Sequence, residues 1–173
     1  MTTARAALLE RIIGEVALNG LADRSLRDIA VATGTSHRMV LYHFGDRAGL
    51  VSAIVGAVES DQRETLVRMA ATAESAEELI LALWHHVCSE ELRPFVRLFF
   101  ECVGLTGGVG LTDPWLDVAD RVTEMIGSDF DADRIRLGVA VTRGLLIDVL
   151  ATGSSDAATR SLETFVEMWR ASE

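Results

Sequence analysis

Apolar residues along this chain recur every three to four positions almost from end to end, and no stretch keeps the two-residue alternation of a strand. Over residues 4–18, Leu9, Ile12, Ile13 and Val16 form one stripe, and Asn19-Gly20 closes the helix they predict. Ser25 followed by Asp28 is a capping box, so a second helix opens there, with Leu26, Ile29 and Ala30 as its buried side. Gly34 stands where that helix must stop, because glycine takes left-handed backbone without a Cβ penalty. Ser36 can cap a third helix, whose Val40 faces inward while His37, Arg38 and Met39 occupy its exposed first turn.

The pattern then repeats on a longer scale. Asp46 caps a long helix over 47–71, apolar at Leu50, Val51, Ile54, Val55 and Val58. A second capping box, Ser75 with Glu78, opens a helix to about 92. Pro94 suits the first turn of the next, which carries Phe95, Leu98, Phe99, Cys102 and Val103. A glycine-rich loop over 106–110 separates it from a helix begun by Asp113-Pro114 and bearing Trp115, Leu116, Val118, Ala119, Val122, Met125 and Ile126. Residues 131–151 form a helix apolar nearly all round. The last, over 155–170, sets Leu162, Phe165, Val166 and Trp169 at i, i+3, i+4 and i+7. The prediction is all-α, nine helices, with no internal repeat.

Two short helices joined by a tight turn across residues 25–47 are the arrangement of a helix-turn-helix, whose second helix offers its N-terminal residues to base edges in the major groove. The turn alone also suits an ordinary αα-hairpin. Context favours DNA, since three helices lie within the first fifty residues and the turn joins the second to the third. The segment resembles the tetracycline-repressor (TetR) family of bacterial regulators. The likeness runs through Ser25-Leu26-Arg27-Asp28-Ile29-Ala30, Thr33-Gly34-Thr35-Ser36, Leu41-Tyr42-His43-Phe44, Asp46-Arg47 and Leu50. It covers the first third closely and the remainder in architecture alone.

The resemblance implies a three-helix helix-turn-helix head over residues 1–46 on a helical ligand-binding and dimerisation body over 47–173. It implies DNA contacts from Arg27, Ser36, His37, Arg38, Met39, Tyr42 and Arg47. His43 stands where the family has it, with contact or helix-end packing both open. Arg47 replaces the usual Lys and is expected on a phosphate, and Thr35 replaces the usual Val. Tyrosine is displaced by one position, with Leu41 in its place and Tyr42 after it, about 100° around the helix.

Charge sharpens this picture. The net charge of −10 excludes a general nucleic-acid binder, but residues 1–50 carry six arginines against five acids, while the other 123 carry ten against twenty-one. A weakly basic head on an acidic body suits a protein that meets phosphate at one end only. All sixteen basic residues are arginine, and no function follows from that. No apolar run reaches membrane-spanning length, and the amphipathic N-terminus is not a signal peptide, so a cytoplasmic protein without membrane partners is expected. Cys88 and Cys102, in helical apolar segments without metal-ligand spacing, read as reduced core residues.

The body offers no catalytic set. His85 and His86 are adjacent and diverge, His85 with Cys88 makes too few ligands for zinc, and no nucleophile elbow occurs. No metal, cofactor or enzymatic activity is therefore expected. Trp84, Cys88, Phe95, Phe99, Cys102, Trp115 and Met125 read individually as core. Collectively they lie on the middle helices, where the family keeps its ligand cavity. The last two helices imply a homodimer seam through Gly138, Arg143, Gly144, Leu145, Asp148, Leu162, Phe165, Val166 and Trp169, with Arg143 and Asp148 open between seam and ligand. The expected partners are a pseudo-palindromic duplex operator, a small apolar effector and a second copy of the chain. The rival readings are a dimeric helical small-molecule or lipid-binding protein, and a protein-interaction module without DNA binding.

Overall fold

The structure is a computed structural model that describes residues 3–107, 112–127 and 131–170. Among them are nine α-helices and no strand. These are α1 (Thr3–Asn19), α2 (Leu26–Ala32), α3 (His37–Phe44), α4 (Arg47–Ala70), α5 (Ala76–Val87), α6 (Arg93–Thr106), α7 (Asp113–Ile126), α8 (Ala132–Thr152) and α9 (Asp156–Arg170). The glycine-rich loop predicted over 106–110 lies outside the described residues from position 108 onward.

The chain divides into two compact units, Met1–Ser60 with Pro94–Val109, and Asp61–Arg93 with Gly110–Glu173. A boundary after residue 46 therefore falls within the first unit, because the opening half of α4 and nearly all of α6 group with the three-helix head. Leu8, Leu9, Ile12, Val16, Ile29, Ala30, Val40 and Phe44 are buried there, joined by Leu50, Val51, Ile54 and Val55 of α4. Each such side chain stabilises the fold by about 1.5–3 kcal/mol relative to exposure, less for the small alanine.

The α2–α3 turn closes as a Schellman motif. The Thr35 N–H reaches the Ala30 carbonyl at 2.9 Å and the Gly34 N–H reaches Val31 at 3.1 Å, with Gly34 at φ 66°. Thr33 is buried and returns its hydroxyl to the Ile29 carbonyl at 2.7 Å. At the next junction Asp46 caps α4 through the Gly49 N–H at 2.8 Å. A Cβ on Gly49 would stand 2.0 Å from the Phe44 carbonyl oxygen, so this approach of α3 to α4 admits glycine alone.

In the second unit Ala70, Leu79 and Val122 form a core flanked by Leu66, Val67, Met69, Ala73, Val118 and Ile126, which ties the end of α4 to α5 and α7. The α5 helix stops at Val87 rather than near 92. Ser89 begins a fresh turn, its carbonyl accepting the Leu92 and Arg93 N–H groups at 3.2 and 3.1 Å. The Trp84 indole N–H donates to Thr159 Oγ1 at 2.8 Å, joining α5 to α9.

The last two helices pack on each other, and this redistributes the residues assigned to a seam. Leu162 and Val166 are buried, at 0% and 4% exposure, within this single chain and have no surface to give a neighbour. Gly138 is a close approach inside the chain, since a Cβ there would meet the Trp169 ring at 2.7 Å. Arg134 adds a bond to the Trp169 carbonyl at 2.9 Å, and Phe165 meets Trp169 edge-on at 4.9 Å. Arg143 donates to Thr112 Oγ1 at 3.3 Å, at the start of α7. Leu145, Phe165 and Trp169 are half-buried, while Gly144 and Asp148 stay exposed. What α8 leaves open is a stripe of Leu137, Ala140, Gly144, Ile147 and Ala151, all exposed and spaced three and four apart.

Candidate nucleic-acid interface

Two capped helix starts organise the head. At α2 the Asp28 N–H donates to Ser25 Oγ at 3.2 Å, and the Ser25 N–H donates to Asp28 Oδ2 at 3.0 Å. The Ser25 hydroxyl bond, then the backbone bond, hold the Asp28 carboxyl below the usual carboxylate range, with Arg24 and Arg27 adding attraction. At α3 Ser36 Oγ accepts the Met39 N–H at 3.2 Å. Burial of Val40 and Phe44 then fixes the roll of α3 and turns Arg38, Met39 and Tyr42 outward, the tyrosine 78% exposed. Arg27 and Ser36 are exposed as well, and His37 is half-buried. Ser25, Leu26, Arg27, His37 and Arg47 line an open hollow of about 490 Å³ where α2 and α3 begin.

Two predicted DNA-facing residues are engaged within the head. Arg47 turns back beneath the α1–α2 corner, its guanidinium donating to the carbonyls of Arg24, of Leu21 at 2.7 Å and of Ala22 at 3.0 Å. Three of the five guanidinium N–H donors are thereby used on the protein, which leaves Nε–H and one Nη1–H for any other acceptor. His43 is half-buried at the end of α3, its ring edge-on to Tyr42 at 5.0 Å. Its carbonyl accepts from Arg5 Nε at 3.1 Å, and the Arg5 guanidinium lies 5.1 Å over the Phe44 ring. These contacts match the helix-end packing alternative, and the half-exposed ring leaves the DNA-contact alternative open.

Sequence reasoning missed Arg5, Glu101 and Gly49. Glu101 of α6 accepts the Leu21 N–H at 3.0 Å on Oε1. No local motif signals a bond spanning eighty positions. The Gly49 approach could have been suspected, since a glycine in a helix's first turn gives up propensity without a turn to justify it.

The proposed ligand-facing residues divide between the units. Phe95, Phe99 and Cys102 belong to the first, with Phe99 and Cys102 buried, and Trp84, Cys88, Trp115 and Met125 belong to the second. Trp84 is a core residue with its N–H satisfied. Met125 is 46% exposed in this chain. Both cysteines are free thiols. Burial pushes Cys88 up to about 11, and burial reinforced by Glu101 pushes Cys102 up to about 12, against a smaller opposing pull from Arg47. Neither is a ready nucleophile or metal ligand. Among the described residues no group of three or more His, Cys, Asp or Glu could hold a metal, and no helix is long and apolar enough to cross a membrane.

Solved structures share this architecture. A TetR-family transcriptional regulator from Pectobacterium atrosepticum superposes with TM-score 0.74 at 19% identity, covering 96% of this chain and 91% of its own. The multidrug binding protein EbrR, solved with imidazole, matches at TM-score 0.68 and 20% identity over 94% and 89% of the two chains. A TetR-like transcriptional regulator from Rhodococcus sp. RHA1 matches at TM-score 0.63 and 17% identity over 100% and 99%. No family model and no curated protein matches the chain. The fold is thus that of the TetR-type regulators along nearly its whole length.

Proposed function

We propose that the chain is a homodimeric, DNA-binding transcriptional regulator, acting as a repressor that a small, mainly apolar molecule releases from its operator. The observation that carries this reading is the first turn of α3. It is capped by Ser36 and rolled by buried Val40 and Phe44, so that Arg38, Met39 and Tyr42 project together into solvent. An αα-hairpin formed only for packing has no use for an arginine, a methionine and a tyrosine on one open face. In the groove Arg38 would take a guanine through two parallel hydrogen bonds, and Met39 would offer apolar contact to a thymine methyl. Arg27 and His37, flanking the hollow at the start of α2, would hold the adjoining phosphate backbone.

One head grips too few groups for selectivity, and a twofold pair presents two recognition helices to a pseudo-palindromic site. The exposed stripe on α8 supplies the seam, because its three-four spacing is that of helices meeting side by side. The small-molecule response rests on the shared fold and on a fold neighbour that binds drugs and was solved with imidazole. Such a ligand shifts DNA affinity only by its own preference for one arrangement of the dimer, so a hundredfold release requires about 2.7 kcal/mol of differential binding.

Titrating salt during duplex binding tests the reading. Groove binding with phosphate contacts makes log K fall linearly with log salt. An interaction module or lipid carrier of the same fold shows no salt-sensitive duplex binding, and that result excludes the regulator.

A further inference from the structure

The corner joining α1 to α2 is gripped from both sides by helices outside the three-helix head. From α4, Arg47 donates to the carbonyls of Leu21, Ala22 and Arg24. From α6, Glu101 accepts the Leu21 N–H at 3.0 Å. The Leu21 side chain between them is fully buried. On the α1 side Glu15 accepts from Arg24 at 2.9 Å and from Asn19 at 3.1 Å, so the corner is also tied to the helix that enters it. Past the Gly20 N–H, which still reaches Val16, the N–H groups of the six-residue corner between the helices lack helical partners, and a buried group left unmatched is costly. Here both polarities are met by two side chains of opposite charge that arrive from different helices.

We infer that Glu101 and Arg47 are paired positioning residues, a clamp on residues 21–24 that sets where α2 begins and hence where Arg27 and the α3 turn point, without either touching DNA. The inference deepens the DNA-binding reading and rests on it for its functional consequence, while the clamp itself stands on geometry. The buried Cys102 supports the placement, because its thiol feels Glu101 and Arg47 together. The clamp makes α6 a mechanical partner of the head. A displacement of α6 that lengthens the Glu101–Leu21 bond releases one side of the corner while Arg47 still holds the other.

The test combines amide exchange with salt-titrated duplex binding on the full chain. In the wild type the Leu21 amide is protected although it lies outside any helix. Glu101→Ala exposes it, speeding exchange by about tenfold or more, while the Ile12 and Val16 amides in α1 are unchanged. Glu101→Gln keeps an acceptor oxygen and restores protection. Duplex affinity falls about tenfold for Glu101→Ala and for Arg47→Ala, the scale of one buried hydrogen bond lost. Neither changes the salt slope, whereas Arg27→Ala lowers it by about 1. The salt slope separates positioning from phosphate contact, which loss of stability alone does not. A wild-type Leu21 amide exchanging as fast as an unstructured one, protection surviving in Glu101→Ala, or a salt slope reduced in Arg47→Ala each overturns the clamp. A wild type that binds no duplex defeats the regulator reading instead, and the exchange arm still decides the clamp.

Discussion

Arg38 and Arg47 are the same residue type within one short motif, yet packing gives them opposite employment. Arg38 stands on the open turn of α3 with its fork free to meet a base edge, while Arg47 is spent on three carbonyls beneath the α1–α2 corner. Spacing made Arg38 legible, because Val40 two positions on had to face inward. It could not make Arg47 legible, since its acceptors lie more than twenty positions away. Replacing Arg38 with Ala should remove discrimination at one base pair, a loss of roughly 1–3 kcal/mol, with affinity for other sequences little changed. A panel of duplexes varied one position at a time measures this, and uniform weakening contradicts a base contact. Cys102 allows a second residue-scale test. Its folded pKa, pushed up to about 12, exceeds the ordinary value of 9.0, so the native thiol keeps a proton that the unfolded chain releases. Stability from this source is complete below pH 9 and is lost as pH rises from there toward 12. Unfolding monitored between pH 8 and 10.5 should show a shallower alkaline decline in Cys102→Ala than in wild type.

Helices announced themselves through their ends more than through their stripes. Ser25-Asp28 caps as a full box, and Ser36, Asp46, Ser75 and Asp131 cap through their own side chains, while Glu78 takes the Glu74 N–H and leaves the second box half-made. The α5 helix ended early because Ser89, itself a helix-starting residue, opened another turn, a competition that apolar periodicity does not register. Which way α8 and α9 face was also hidden. Their i, i+3, i+4 pattern marks an apolar side but not its partner, and Leu162 and Val166 turned out to serve this chain's own core. The α3–α4 junction gives the sharpest element-scale test. Gly49→Ala forces a methyl against the Phe44 carbonyl, and overpacking of this kind costs about 1–3 kcal/mol. At 2–4 °C per kcal/mol for a chain of this size, the melting midpoint should drop by roughly 2–12 °C. A midpoint equal to wild type would show that the two helices part freely.

For the whole molecule, nothing in a single chain supplies the second recognition helix that a pseudo-palindrome demands, and the proposed dimer takes it through the exposed apolar stripe on α8. Ile147 is 54% exposed in the middle of that stripe. Ile147→Glu places two like charges near the twofold axis and should yield monomers by sedimentation, with the fold retained by circular dichroism. A dimer persisting in that variant assigns the seam elsewhere. The fold class, the head and its outward turn were readable from sequence because they rest on local caps and periodicity. The corner contacts and the burial of Leu162 and Val166 within the chain were not, because they are set by distant packing. Selection of bound duplexes from a random pool bears most directly on the claim that the α3 turn, doubled by symmetry, reads DNA. Enrichment of an inverted repeat, with half-sites about 10 base pairs apart or slightly more and one position lost in Arg38→Ala, is the expected result. Enrichment of nothing, or of a single unrepeated site, contradicts it.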